Sequence, residues 1–185
     1  HVYAVCSQND GSVWLGGEDK LWLVKDNKVV KTVNFNPSGK IKSAIAYIMM
    51  LDRKGNLWVG VNDFGAFVYS TQTGKVTEIR ETANLDIHAF SEAPSGEVWI
   101  GSERGVYIYD KGKVRYLSSC TDSPVYAICR DRIGQWWIGT LGNGLFLLDA
   151  MGKEKYHLTE GKELPSSNIN QIYSARNGTL WIATY

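Results

Sequence analysis

Five copies of one short motif, placed at nearly equal intervals, constrain this chain more than any other feature of its sequence. Each copy reads glycine, two further residues, tryptophan, an aliphatic residue and a small residue. Successive motif tryptophans follow one another at intervals of 38 to 44 residues, at Trp14, Trp58, Trp99, Trp137 and Trp181. A repeat of roughly 42 residues is the length of one four-stranded propeller blade, so the spacing indicates that architecture.

Each of the first four units also contains four strand-forming segments, named A to D from the inside outwards, and the fifth contains A and B. Strand A precedes the glycine turn, and strand B carries the tryptophan. The predicted C strands are Leu21–Val24, Ala66–Tyr69, Val106–Tyr109 and Leu145–Leu148, and the predicted D strands are Val29–Asn34, Val76–Glu81, Val114–Ser118 and Glu154–Thr159. The pattern predicts an all-β fold, a β-propeller of four-stranded antiparallel blades with four complete blades and half of a fifth.

Three positions of the motif have a physical reason. The turn glycine supplies the positive φ that a tight hairpin between strands A and B needs. A large indole ring fills the space between stacked blades, so we expect all five motif tryptophans to be sandwiched. The small residue two places after tryptophan indicates a crowded position, where strand B passes a neighbouring backbone.

The repeat also suggests how far the propeller extends. A closed five-blade ring needs roughly two more strands than the chain supplies, so we expect residues 1–185 to be a single segment of an incomplete propeller. An isolated segment would be an open arc or a face-paired dimer, and a small ring closed in an unusual way is the alternative. The predicted units are about 1–43, 44–85, 86–123, 124–167 and 168–185.

Charge and hydropathy exclude several classes of partner. The formal net charge is +1, which gives no overall field for nucleic acid or for an acidic membrane. No apolar run approaches the roughly 20 residues that cross a bilayer, and the chain starts at His1 without a signal-peptide pattern. We therefore expect neither nucleic-acid binding nor direct membrane contact from this segment.

Motifs for catalysis or metal binding are missing from the sequence. The three histidines are scattered, and zinc, nucleophile-elbow and calcium-loop patterns do not occur. The glycine-rich run Gly139–Gly144 is not followed by a helical pattern and is better explained as a hairpin loop. We expect no catalytic residue, no metal and no cofactor. Cys6 and Cys129 are expected to be small buried side chains on A strands, and a bridge between Cys120 and Cys129 stays open.

Two stretches resemble the two-component regulator propeller repeat. One is Leu164–Ile172 followed by Asn177–Thr184, and the other is Ile128–Asp131 running into Gly134–Thr140 and Gly144–Leu145. The resemblance extends over essentially the whole chain, although Lys20 stands where later units have glycine. It implies a periplasmic sensor region of a hybrid two-component histidine kinase, of the kind common in glycan-degrading gut bacteria. It also implies that the parent is anchored in the inner membrane, with further blades and a following domain as partners.

Ligands of propellers bind at the loops between strands D and A and between strands B and C, around the axis. Aromatic rings beside polar groups suit sugars, because a ring stacks on C–H faces and polar groups take the hydroxyls. Packing of the tyrosines between inner strands is the structural alternative. The candidate ligand-binding residues are Tyr3, Tyr47, His88 and Tyr126 at the heads of A strands, with Asp63, Phe64, Arg104 and Asn143 in the B–C loops.

Three functions are compatible with this pattern. The first is a non-enzymatic sensor segment that recognises a ligand, expected to be an oligosaccharide, and passes the signal to a kinase outside this chain. The second is a propeller enzyme of the streptogramin-lyase type, which would need a histidine pair with an acid and a metal near the axis. The third is a scaffold that binds proteins, with or without homodimer formation.

Overall fold

The computed structural model describes residues 1–36 and 43–185 and is all-β except for one 3-10 turn at Arg80–Thr82. The first two blades are antiparallel sheets in the order A, B, C, D. Blade 1 contains β1 (Ala4–Ser7), β2 (Val13–Gly16), β3 (Lys20–Lys25) and β4 (Lys28–Asn34). Blade 2 contains β5 (Ala46–Leu51), β6 (Asn56–Val61), β7 (Gly65–Ser70) and β8 (Val76–Ile79).

The remaining sheets repeat this order. Blade 3 contains β9 (Ile87–Glu92), β10 (Val98–Ser102), β11 (Gly105–Asp110) and β12 (Lys113–Tyr116). Blade 4 contains β13 (Val125–Arg130), β14 (Trp136–Thr140), β15 (Leu145–Leu148) and β16 (Glu154–Leu158). The fifth sheet has two strands, β17 (Ile169–Ser174) and β18 (Leu180–Thr184). The predicted propeller of four complete blades and half of a fifth is confirmed.

The chain divides into two compact units, His1–Ile87 and His88–Tyr185. Blades 1 and 2 form the first unit, whose core contains Trp14, Leu57 and Phe67. Blades 3 and 4 and the fifth sheet form the second, with the exception of the first residue of β9, and its core contains Trp99 and Trp136. Residue-level boundaries between repeat units stay a prediction.

The hairpin between strands A and B has the same backbone hydrogen bonds in all five sheets. In each turn the glycine N–H donates to the carbonyl three residues earlier, as Gly55 does to Asp52 at 3.0 Å. Every one of these glycines has a positive φ, between 79° and 92°. The predicted role of the turn glycine is confirmed, because a side chain there would force an L-residue into the left-handed region.

The motif tryptophans differ in burial along the chain. Trp14, Trp58 and Trp99 are at most 2% exposed, and Trp99 stacks on Trp136 of the next blade with ring centroids 4.0 Å apart. Trp137 is only half-buried, and Trp181 is 65% exposed. The expectation of five sandwiched indoles is therefore wrong for the last two. Trp181 is exposed because it lies on a two-stranded sheet with no further described blade over it.

The small residue two places after the motif tryptophan is where consecutive blades touch. A Cβ atom at Gly60 would lie 2.4 Å from Cγ2 of Ile48 and 2.9 Å from Cβ of Ile87. A Cβ atom at Gly139 would lie 2.5 Å from Cγ2 of Ile169, on the inner strand of the fifth sheet. The crowding is confirmed, but the atoms that crowd this position are mainly side chains of the same and the following inner strand rather than backbone.

An aspartate three residues before the turn glycine completes two of the five hairpins. In blade 2, Asp52 accepts backbone N–H bonds from Lys54 and Asn56 through Oδ1, and Oδ2 accepts from Nε1 of Trp58 at 3.0 Å. Asp131 makes the same set of bonds around Trp137 in blade 4. This aspartate therefore links the turn to the motif indole of its own blade.

Blade 3 lacks this aspartate and leaves a buried donor without an acceptor. Ala93 occupies the corresponding position, and Nε1 of Trp99 has no hydrogen-bond partner among the described residues. Trp14 in blade 1, where Gln8 takes the place of the aspartate, has the same unsatisfied donor. A buried N–H without a partner costs about 1–3 kcal/mol.

We expect Ala93→Asp to raise the free energy of unfolding by about 1 kcal/mol, because the new carboxylate gives Trp99 and the turn an acceptor. Thermal denaturation of the whole chain would show this as a rise in Tm of about 2–4 °C. The reverse change, Asp52→Ala, should lower the stability by about 1–3 kcal/mol.

Ala93→Asn is the matched control for this prediction. Its single carbonyl oxygen can accept from the turn, but its amide group cannot accept from the indole, so its gain should be smaller than that of Ala93→Asp. A variant Ala93→Asp that unfolds at or below the temperature of the unaltered chain contradicts the explanation.

Candidate functional site

The inner-strand candidates of the first unit form an aromatic pair. The rings of Tyr3 and Tyr47 lie 5.7 Å apart between centroids, at an angle of 55°. The imidazole of His1 lies 6.2 Å from the ring of Tyr3. Tyr3 is 43% and Tyr47 44% exposed, so the repeat places them beside each other without covering them.

The inner-strand candidates of the second unit form a closer pair. The imidazole of His88 stacks on the ring of Tyr126 with centroids 4.2 Å apart and planes 12° from parallel. Both side chains are half-buried. Equivalent positions on neighbouring A strands therefore contact each other within each unit, which is what packing between inner strands requires.

The loop between strands B and C of blade 2 is used mainly to hold the blade together. Asp63 has a φ of 62°, and its backbone N–H donates to Oδ1 of Asp86 at 2.6 Å. Phe64 is half-buried and packs against the core of the first unit. Of these two candidates, only Asp63 presents an exposed side chain.

The second unit contains a cleft that brings one predicted residue together with three others. Arg104 from the B–C loop of blade 3, Tyr107 from β11, Tyr116 from β12 and Asp122 from the following loop line a volume of about 340 Å³. We call this the tyrosine cleft. The rings of Tyr107 and Tyr116 face each other across paired strands, with centroids 5.3 Å apart and an angle of 58°.

A glycine allows the loops of the tyrosine cleft to approach each other. Gly105 has a φ of 94°, and a Cβ atom there would lie 2.2 Å from the carbonyl oxygen of Thr121 and 3.0 Å from Oη of Tyr116. Oη of Tyr116 donates to the same Thr121 carbonyl at 3.3 Å. Gly65 and Gly144 make the same close approach in their own blades, to carbonyls of Thr82 and Leu158.

Asn143 is held beside the same loop. Its Nδ2 lies 3.4 Å from Oγ1 of Thr121, and its backbone carbonyl oxygen accepts a hydrogen bond from Nε2 of His157 at 2.6 Å. The imidazole of His157 in turn stacks on Phe146. The predicted residue Asn143 does not line the tyrosine cleft, and its contact there is with Thr121, the neighbour of Asp122 in the chain.

Burial and charge shift two pKa values at the tyrosine cleft. Burial of the phenol raises the pKa of Tyr116, and the nearby Asp122 carboxylate, Tyr107 and Cys120 raise it further. Burial raises the pKa of the Cys120 thiol to about 12, with a smaller contribution from Glu154. Both groups are therefore neutral near pH 7, and the tyrosine cleft offers hydroxyl, guanidinium and carboxylate groups beside two aromatic rings.

The cysteines take no part in a disulfide bond. Cys6, Cys120 and Cys129 are all free, so the possible bridge between Cys120 and Cys129 is not formed. Cys6 and Cys129 lie on A strands as expected, but the expectation that they are buried is wrong, because both residues are only half-buried. Burial still raises the pKa of each of these two thiols.

Tyr107 and Tyr116 were not among the candidates that the sequence supplied. Their signal is present, because the second residue of the C segment is aromatic in every blade, at Trp22, Phe67, Tyr107 and Phe146. Only in blade 3 does this position pair across the strands with another tyrosine. Strand register, which the sequence leaves open, decides that pairing.

Comparison with known families identifies part of the chain. Residues 121–142 and 163–185 match the family model described as two component regulator propeller. These two segments are similar to regulator propeller repeats. They contain Ile128–Asp131, Gly134–Thr140, Leu164–Ile172 and Asn177–Thr184, on which the resemblance was based, whereas Gly144–Leu145 lies outside them; the match confirms the resemblance. No curated protein matches the chain.

Solved structures with the same fold include an extracellular domain of a two-component system. The extracellular domain of a hybrid two-component system of B. thetaiotaomicron is 26% identical, with a TM-score of 0.76 over 99% of this chain and 25% of that chain. The present chain thus spans about a quarter of that domain. Among the described residues, no helix is long and apolar enough to cross a membrane.

Two further structures share the fold at lower identity. A streptogramin B lyase is 18% identical, with a TM-score of 0.79 over 99% of this chain and 62% of that chain. The extracellular domain of a one-component system of B. thetaiotaomicron is 16% identical, with a TM-score of 0.56 over 100% of this chain and 35% of that chain. These similarities show the propeller fold alone.

We expect Asp122→Asn to bring the pKa of Tyr116 down towards its ordinary value, because the neutral amide no longer opposes formation of the phenolate. A pH titration followed by NMR on tyrosine labelled with ¹³C would detect the shift to lower pH. Asp110→Asn, which removes a carboxylate of the same blade that does not contribute to this pKa, is the control. An unchanged titration of Tyr116 in Asp122→Asn contradicts the arrangement of the tyrosine cleft.

Proposed function

We propose that this chain is a non-enzymatic, extracytoplasmic sensor segment of a hybrid two-component histidine kinase and response regulator, and that its ligand is a carbohydrate. The regulator propeller repeats and the similarity to an extracellular domain of such a system support this proposal. The segment would lie in the periplasm, with the parent anchored in the inner membrane. The kinase, the remaining blades and a following domain would belong to the parent outside residues 1–185.

The single observation behind the choice of ligand is the composition of the tyrosine cleft. Tyr107 and Tyr116 supply two ring surfaces, and Arg104 and Asp122 supply a donor and an acceptor at its border. A sugar combines apolar C–H faces with hydroxyls that both donate and accept, so it can use all four side chains at once. The net charge of +1 gives no reason to prefer a polyanion at this cleft.

The side chain of Arg104 is available for such a ligand. Its only ion pair among the described residues is with the adjacent Glu103, where Nε and Oε1 are 3.6 Å apart. The arginine side chain is 73% exposed, and an exposed pair of this kind contributes little to stability. Redirecting Arg104 to a sugar hydroxyl would therefore cost little.

The inner-strand aromatic residues are a second, weaker candidate for the ligand site. Tyr3 and Tyr47 are exposed enough to meet a ligand near the inner strands, whereas His88 and Tyr126 largely cover each other. Phe64 packs against the core and is assigned a structural role in this proposal. The experiment must therefore separate the tyrosine cleft from the inner-strand pair.

Isothermal titration of the whole chain with neutral gluco-, galacto-, manno- and xylo-oligosaccharides tests the proposal. We expect at least one series to bind and Tyr116→Ala to weaken that binding about tenfold, because the second ring surface is lost. Asp122→Asn should weaken it as well, through loss of a charged acceptor.

Two variants serve as comparisons for this titration. Tyr173→Ala removes an exposed tyrosine of β17 and should leave affinity unchanged, whereas Tyr47→Ala would lower it only if the ligand occupies the inner-strand pair. Failure of every sugar to bind argues against a carbohydrate sensor and favours a protein-binding scaffold. Chromatography of the titrated sugars should show no conversion, and release of products would favour an enzyme, as in the streptogramin-lyase alternative.

A further inference from the structure

A second cleft in the same unit lies at the opposite ends of the strands, between the A–B turns of blade 4 and of the fifth sheet. Its volume is about 490 Å³, and we call it the arginine cleft. The residues that line it are Arg130, Asp131, Arg132, Ser174, Ala175 and Arg176. Three of these six side chains are cationic, and one is anionic.

The one carboxylate of the arginine cleft is already used by the turn. Oδ1 of Asp131 accepts from the backbone N–H groups of Ile133 and Gln135, at 3.1 and 2.8 Å. Oδ2 accepts from Nε1 of Trp137 at 3.0 Å. In the described ranges, no acidic group forms an ion pair with any of the three arginines. The cleft therefore carries uncompensated positive charge.

Two of the arginines are held in place. The guanidinium carbon of Arg130 lies 5.6 Å from the ring centroid of Trp136, and its buried Nε–H has no acceptor within residues 1–36 and 43–185. Nη1 of Arg132 donates to the backbone carbonyl of Arg176, which joins the two turns. A site whose cations are held before a ligand arrives loses less entropy on binding.

The fold itself does not require arginine at position 130. The residue four places before the turn glycine is Ser7, Leu51, Glu92 or Ser174 in the other units, and those units form the same hairpin. Arg132 and Arg176 share the position two places before the glycine, so the repeat brings them to adjacent turns. Arg130 departs from the repeat and adds the third charge.

We propose that the arginine cleft binds a tetrahedral oxyanion, sulfate or phosphate, independently of the carbohydrate proposed for the tyrosine cleft. A guanidinium group presents parallel N–H donors that match two oxygens of such an anion. Three guanidinium groups around one opening would favour a multivalent anion over chloride. The inference does not depend on the proposed sensor function, because it uses different residues.

Titration of the whole chain at low ionic strength with sodium sulfate and sodium phosphate tests the inference, with sodium chloride as the reference anion. Trp136 and Trp137 lie next to the cleft, so tryptophan fluorescence provides the readout, and calorimetry provides the affinity. We expect sulfate or phosphate to bind, and Arg130→Gln and Arg176→Gln each to weaken that binding at least tenfold. Added salt should weaken it too, because it screens the charges.

Arg80→Gln is the matched control, since it removes an exposed arginine of the first unit and should leave the affinity unchanged. Tyr116→Ala should also leave it unchanged, which separates this site from the tyrosine cleft. Equal responses to chloride and sulfate, or unchanged affinity in Arg130→Gln, overturn the inference. Circular dichroism confirms that each variant is folded before it is compared.

The source of the oxyanion is distinguished by two further ligands, glucose 6-sulfate and glucose 6-phosphate. If an ester binds more tightly than the inorganic anion, the natural ligand is a sugar that carries the sulfate or phosphate group. If the ester and the inorganic anion bind equally well, the ligand is the free anion. Both outcomes support oxyanion binding at the arginine cleft. If neither the inorganic anions nor the esters bind to the unaltered chain, the inference is contradicted.

Discussion

Contact between consecutive blades is the interaction on which the rest of the structure depends. A four-stranded sheet cannot bury both of its faces alone. Stacking on the next sheet removes from water the face that is turned towards that sheet. The contact is closest at the small residue after the motif tryptophan, where Gly139 leaves room for Ile169 of the next inner strand. The indole beside it fills the wider part of the gap, as the stack of Trp99 on Trp136 shows.

Polar groups near these contacts are satisfied unevenly, and the differences follow single residues. Asp52 and Asp131 connect a turn to an indole, whereas Ala93 leaves the Trp99 donor buried without an acceptor. The hairpin backbone is the same in both cases, because the glycine turn and its hydrogen bonds form without the aspartate. Packing thus fixes the fold, and hydrogen bonding adjusts the stability of each blade.

The two clefts of the second unit show how a repeat acquires distinct surfaces. Both lie at strand ends, where side chains can change without disturbing the packing between sheets. At one end, Tyr116 and Asp122 lie beside Arg104 of the B–C loop and Tyr107 of the C strand. Gly105 permits the close approach of that loop to the carbonyl of Thr121. At the other end, Arg130 departs from the repeat, and it lies beside Arg132 and Arg176, which occupy equivalent positions of the repeat. One cleft is aromatic and nearly balanced in charge, and the other is strongly cationic.

The sequence by itself determined the blade order, the strand succession and the positive φ of the turn glycines, because these depend on local periodicity and on residue type. It also assigned Arg104 and Asn143 to loops between strands B and C, since loop residues at fixed repeat positions must share one end of the sheets, and their role in binding stays a prediction. Only the tertiary structure decided that Tyr107 meets Tyr116, that Phe64 packs against the core, and that Trp181 is exposed. Those outcomes depend on strand register and on which sheet covers which, and both are set by contacts between residues far apart in the chain.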